Sequence, residues 1–197
     1  VGHDWGAVAS YLAAALAPER WRSVTTLAIP HPLCIVENLP RLPRQLRHSW
    51  YMLFFQLPQL AERAVAASDF ALVEQLWRSW SPSYRASDDD LAPLKHALRQ
   101  PGVLAASLAY YRNMFALTRP PARDSFALLS APIRPPVLAL SGMEDGCIDT
   151  RMYALAMDRQ RFSDVIVEQL SGLGHFMHLE DPARLGTRII AWLLAHA

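Results

Sequence analysis

Gly2-His3-Asp4-Trp5-Gly6 constrains the fold more tightly than any other stretch of this chain. It follows a small-x-acid-x-small pattern, in which the flanking glycines let the backbone bend sharply between a strand and a helix. The side chain at the centre of such a bend projects out of the sheet into a cleft, and the helix N-terminus beneath it favours an anion. WGAVASYLAAAL follows at once, with Ala, Val and Leu at helical spacing until Pro18 closes the helix. The β-branched run from Val24 to Ile29 then reads as a strand entering the loop PHP.

From Leu33 to Phe126 the character changes. Proline punctuation separates aromatic helical stretches such as SWYMLFFQLPQLAE and ALVEQLWRSW, with no convincing strand among them. Strand signals return in Val137 to Leu140, entered through prolines and left through Gly142, and again in VIVEQL. PARLGTRIIAWLLAHA closes the chain as an amphipathic helix with Pro182 in its first turn. Strands alternating with helices predict an α/β fold: a parallel sheet covered on both faces. The divisions are a core segment over 1–32, an all-helical insertion over 33–126 and a second core segment over 127–197.

At 197 residues with 52% hydrophobic residues, the chain can bury one sizeable core and carry a large insertion. Nineteen basic against eighteen acidic residues leave a net charge of +1. No global field therefore favours nucleic acid or an anionic membrane. No apolar run approaches the roughly 18 residues of a membrane span. Cys34 and Cys147 form no CxxC pair and read as two reduced thiols, which fits a cytoplasmic location. The acidic run at Ser87 to Asp90 reads as a solvated turn or a helix start, because adjacent acids do not readily converge on one ion.

Asp4 alone is compatible with two roles, a helix cap or a nucleophile. A carboxylate is already anionic and can displace a leaving group at an sp3 carbon, forming an alkyl ester on the protein. Hydrolysing that ester then requires a histidine to activate water and an acid to orient the histidine. Both occur in the chain order nucleophile, acid, histidine: Asp145 in GMEDG, just past one strand, and His175 in SGLGHFMHLEDP, past the next. Among the rivals, Asp149 is placed to cap a helix beginning near Thr150, and Glu144 is expected in solvent. His178 lies nearer the final helix, and His3 reads as a packing residue under the bend.

GHDWGA, SGMEDG and GLGHFMHLEDP, together with WYMLFFQLPQLAE and AYYRNMF in the insertion, resemble the α/β-hydrolase superfamily and, within it, the epoxide hydrolase branch. The resemblance implies an α/β-hydrolase core with the helical insertion as a cap over the site. It implies that Tyr51 and Tyr111 donate hydrogen bonds to the epoxide oxygen, Tyr110 being the poorer match. Trp5 would line the pocket and offer its backbone N–H as an oxyanion donor, with Phe55 and Gln56 as wall residues. The implied reaction converts an epoxide to a vicinal diol, with a hydrophobic small molecule and water as reactants. Neither a metal nor an organic cofactor enters it, and neither nucleic acid nor a membrane is a partner. The oligomeric state is not implied.

GHDWGA is shared with haloalkane dehalogenases, in which Trp5 and a cap tryptophan such as Trp50 would bind halide. The family also carries an N-terminal block of strands and an HGxP-type loop, neither of which occurs here. Upstream sequence is therefore expected to be missing, and the isolated polypeptide to be poorly stable or aggregation-prone, with little or no activity. A truncated, non-catalytic fragment is the third alternative.

Overall fold

The computed structural model describes residues 1–157 and 161–197. Four strands, β1 (Gly2–His3), β2 (Val24–Leu27), β3 (Val137–Gly142) and β4 (Val165–Leu170), form one parallel sheet in the order β1-β2-β3-β4. Gly2 pairs with Thr26, Val24 with Val137, and Val137 with Val165. Every residue of β3 is buried. Its period-two alternation sends Val137 and Ala139 to one hydrophobic cluster and Leu138 and Leu140 to another, as a strand covered on both faces requires.

Helix α1 (Trp5–Leu16) covers the first face through Ala7, Tyr11 and Ala14, spaced four and three residues apart on one side of the helix. The polar tip of Tyr11 is satisfied by the Thr26 hydroxyl at 2.8 Å. The expected strand over residues 24–29 ends at Leu27, because Ala28 takes φ 64° and turns the chain.

No strand lies between Leu27 and Val137 among the described residues. That stretch holds α2 (Pro32–Asn38), α3 (Arg44–His48), α4 (Trp50–Phe54), α5 (Leu60–Trp80), α6 (Asp88–Arg99), α7 (Val103–Met114) and α8 (Pro120–Leu129). Helix α5 breaks at Ala67–Phe70, where four residues leave helical dihedrals. Ser87 starts α6 through a reciprocal capping box with Asp90, which makes the acidic run a helix start and decides between the two readings of it. Arg112 of α7 holds Glu62 of α5 with two hydrogen bonds of 2.6 and 3.0 Å and donates to the Phe55 carbonyl at 2.8 Å. One guanidinium thus ties α7 both to α5 and to the end of α4.

After β3 come α9 (Arg151–Ala156), α10 (Met177–Glu180) and α11 (Pro182–Ala195). Leu185 and Trp192 of α11 cover Leu138 and Leu140 on the second face of the sheet. Helix α2 lies against α9 and α8 against α1, so both ends of the helical stretch rest on helices that flank the sheet. Among the described residues, no helix is long and apolar enough to cross a membrane.

Candidate active site

Asp4 occupies the bend between β1 and α1 with φ 51° and ψ −121°, a strained conformation for a residue with a Cβ. Its N–H donates to the Leu27 carbonyl at 3.2 Å, and its own carbonyl accepts from Ala7 and Val8, so sheet and helix together hold it there. The two glycines are not equivalent. A Cβ on Gly2 would lie 2.2 Å from the Gly6 carbonyl oxygen, whereas one on Gly6 would meet nothing within 4 Å. Close approach of the backbone requires glycine at residue 2 alone.

One Asp4 oxygen, Oδ2, accepts from the Trp5 backbone N–H at 2.7 Å, and the other, Oδ1, lies 3.2 Å from His175 Nε2. His175 Nδ1 is 3.0 Å from Asp145 Oδ2. Asp145 Oδ1 in turn accepts from the backbone N–H groups of Cys147 and Ile148 at 2.7 and 3.0 Å. Three residues from three strand ends thus form one chain of hydrogen bonds, closed to solvent at His175 and Asp145 and open at Asp4, whose side chain is 28% exposed.

The rival groups are engaged elsewhere. Asp149 faces Arg151, accepting from its backbone N–H at 3.1 Å and from its guanidinium, and Glu144 is exposed. His178 lies on α10 with its ring 4.5 Å from that of His3. His3 Nε2 donates to the His175 carbonyl at 2.9 Å, which supports the histidine from beneath.

Burial opposes charge on His175, but the Asp145 carboxylate and its hydrogen bond, followed by those of Asp4, overcome it and raise the imidazole to about 10. Burial likewise disfavours the Asp4 carboxylate, yet the hydrogen bond and charge of His175 and the Trp5 N–H hold it below the ordinary range. Burial, with the neighbouring His175, lowers His3 to about 4 and keeps it neutral.

These shifts give stability a pH dependence. An imidazole raised from 6.5 to about 10 on folding stabilises the fold fully below pH 6.5, and that contribution is lost as pH climbs from 6.5 to 10. Thermal melts across this window are expected to show a larger drop in Tm for the native chain than for His175→Gln. Parallel curves would contradict the pairing.

Tyr51, from α4, and Tyr111, from α7, meet in the helical layer with their rings 5.7 Å apart and edge-to-face. Tyr111 meets the Trp5 ring at 5.3 Å, and the Tyr51 hydroxyl lies 3.4 Å from Cys147 Sγ. Burial above all, with the Asp4 charge among the further causes, pushes both phenols above their usual range, so both keep their protons at neutral pH. Phe55 packs against both rings, with centroids 5.6 and 5.0 Å away. Gln56 spends its amide on the carbonyls of Met52 and Tyr111, holding the tyrosine's helix in place. Tyr110 is 60% exposed and leans on Trp5. Trp50 is 44% exposed and packs on Phe54.

Two participants carry no local signal in the sequence. The Cys147 thiol borders both Tyr51 and the acid loop, and the Trp80 carbonyl accepts from the N–H groups of Gly146 and His175. Among the described residues, Asp145, Cys147 and His175 are one group whose donor atoms could converge on a metal ion. Those atoms already serve the Asp145–His175 and Cys147–Tyr51 contacts.

The chain is 28% identical over 184 residues to epoxide hydrolase 2 of Caenorhabditis elegans, covering 91% of this chain and 50% of that protein. It is 29% identical over 157 residues to epoxide hydrolase 4 of Mus musculus, covering 77% and 42%. With the AB hydrolase superfamily protein YfhM of Bacillus subtilis it shares 28% over 198 residues, covering 98% and 64%. The chain thus spans 42% to 64% of the length of these relatives. An epoxide hydrolase from Bacillus megaterium superposes with a TM-score of 0.75 at 19% identity, over 97% of this chain and 67% of that one. Cfl2 from Burkholderia cenocepacia superposes at 0.74 and 26%, over 96% and 63%. The family model described as the alpha/beta hydrolase fold matches residues 1–182, and with the parallel sheet, the bend at Asp4 and the order of the three linked residues, the chain belongs to the alpha/beta hydrolase fold family.

Proposed function

We propose that the chain supplies the catalytic residues of an epoxide hydrolase. Asp4 is the nucleophile, Asp145 and His175 the acid and base, and Tyr51 and Tyr111 the donors to the ring oxygen. The observation that carries this reading is a partly exposed carboxylate bonded to a buried Asp145–His175 pair, with two phenols that pack edge-to-face beside Trp5 and lie near enough to feel the Asp4 charge. The helical stretch 33–126 acts as the cap that brings the phenols in.

In the first step an Asp4 oxygen bonds to an epoxide carbon, the ring C–O bond breaks, and a tyrosine proton passes to the departing alkoxide. Ester formation also removes the Asp4 charge and its hydrogen bond to His175, two of the causes that raise the imidazole. The imidazolium then yields its proton, by way of water, to the phenolate. A neutral His175 is left beside the ester, and it takes a proton from water. The hydroxide adds to the ester carbonyl, whose oxygen inherits the Trp5 N–H now bonded to Asp4 Oδ2. Collapse breaks the acyl C–O bond, the released alkoxide takes the proton from His175, and the new Asp4 carboxylic acid passes its own proton to the imidazole, leaving diol, carboxylate and imidazolium. The phenyl and indole rings of the cap suit a hydrophobic epoxide, and the reaction as written needs no metal or organic cofactor.

Tyr51→Phe and Tyr111→Phe each remove one donor and are expected to slow diol formation from an aryl epoxide by about 10²-fold, the pair by about 10⁴-fold. Both are to be measured in the full-length polypeptide. Retained diol formation in the double variant would overturn the phenol roles. Halide release from a haloalkane that persists in that variant would point to displacement at carbon–halogen bonds instead.

A further inference from the structure

We infer that Ser81, together with Glu180, is a positioning residue that fixes the backbone of His175, so that the end of α5 sets the geometry of the base. The inference rests on the roles proposed above for His175 and Asp4.

Three consecutive N–H groups around the histidine are each held. Gly174 N–H donates to the Glu180 carboxylate at 2.9 and 3.0 Å, His175 N–H to the Trp80 carbonyl at 3.1 Å, and Phe176 N–H to Ser81 Oγ at 2.9 Å. Ser81 Oγ donates its own proton to Glu180 Oε1 at 2.8 Å, so the two side-chain acceptors are locked to each other. Ser81 is fully buried. The Trp80 carbonyl also accepts from Gly146 N–H at 3.0 Å, one residue beyond Asp145. Acid loop and histidine loop thus hang from one oxygen.

The fit is close enough to exclude side chains. A Cβ on Gly174 would lie 2.7 Å from Ser81 Cα, and one on Gly146 would lie 1.8 Å from the Ser79 carbonyl oxygen. The Trp80 ring stands 5.3 Å from the His175 ring and 5.0 Å from that of Tyr51, so the same residue borders the base and a cap phenol. With His3 donating to the His175 carbonyl from below, both polar groups of the histidine's peptide unit are tied, one to the cap and one to the bend.

Imidazole is needed as a base only when water attacks the ester. A displacement of about 1 Å in a catalytic group can cost on the order of 10²-fold, so a loosened clamp should slow ester hydrolysis and leave attack by Asp4 nearly untouched. Ser81→Ala in the full-length polypeptide is therefore expected to lower kcat by about tenfold, with KM falling in proportion and kcat/KM within about threefold of the parent. Glu180→Gln should act in the same direction, and the two changes together should cost little more than either, because they break one unit. Ser83→Ala removes an exposed hydroxyl that also meets Glu180, at 3.1 Å, but touches no N–H of the histidine loop, and should leave kcat within twofold.

A second readout needs no substrate. The low-field proton NMR resonance of His175 Nδ1–H, assigned by its loss in His175→Gln, should broaden or shift in Ser81→Ala and Glu180→Gln while Ser83→Ala retains it. If Ser81→Ala fails to fold, Glu180→Gln carries both measurements. An unchanged resonance, or an equal fall in kcat and kcat/KM, overturns the clamp. A perturbed resonance in a protein that converts no epoxide supports the clamp and refutes the proposed reaction instead.

Discussion

Asp4→Ala in the full-length polypeptide is expected to remove diol formation, with kcat/KM at least about 10⁴-fold lower. No neighbouring group is placed to replace the carboxylate: Asp145 is closed to solvent and bonded to His175, and Glu144 is exposed. His175 loses one of its two carboxylate neighbours, so its imidazole should drop from about 10, while Asp145 continues to orient it. The test separates mechanism from folding. In one turnover of the native protein in isotopically labelled water, label should enter the Asp4 carboxylate, because hydroxide adds to the ester carbonyl and the acyl bond breaks. Label found only in the diol, or turnover that survives in Asp4→Ala, would refute covalent catalysis at this residue.

Gly146→Ala should produce the largest loss of stability from a single methyl group. The new carbon would stand 1.8 Å from the Ser79 carbonyl oxygen, a backbone atom at the end of α5 that cannot rotate away. Either the helix end or the acid loop must shift, and both are tied to the Trp80 carbonyl. Overpacking of this kind costs about 3 kcal/mol or more. For a chain of this size that is a fall in Tm of about 6–12 °C. Gly186→Ala is the matched control. It lies within α11 with nothing within 4 Å of its added carbon, so the better helix former should stabilise by about 0.5–1 kcal/mol. Urea titrations of the two variants against the parent would measure both. Equal midpoints for Gly146→Ala and the parent would show that the contact at Ser79 is not rigid.

Much of the candidate site was legible because its residues follow the strands of a parallel sheet. Asp4, Asp145 and His175 each follow a strand, and the carboxyl ends of parallel strands share one edge, so residues far apart in sequence converge without any contact being read in advance. The strand over 24–29 was readable from its β-branched residues but not its end at Leu27, because Ala28 has no feature that announces a positive φ. The same limit applies to the bend itself. The pattern of two glycines suggested that both were needed, and only the packing against Gly6 and Ser10 distinguishes Gly2 as the residue without room for a side chain.

Residue type and order alone therefore determined the α/β architecture, the bend with its acid, the acid and histidine that follow it, and the aromatic helical insertion. These rest on local periodicity, turn chemistry and ionisation, each expressed by the residues concerned. Tertiary structure decided that Tyr51 and Tyr111 pack together beside Trp5 while Trp50 turns outward, that His3 supports a carbonyl, and that Trp80 and Ser81 hold the histidine loop. The reason is physical: a backbone carbonyl has the same chemistry at every residue, and whether it serves a site 66 or 95 positions away is settled only when packing brings the segments together.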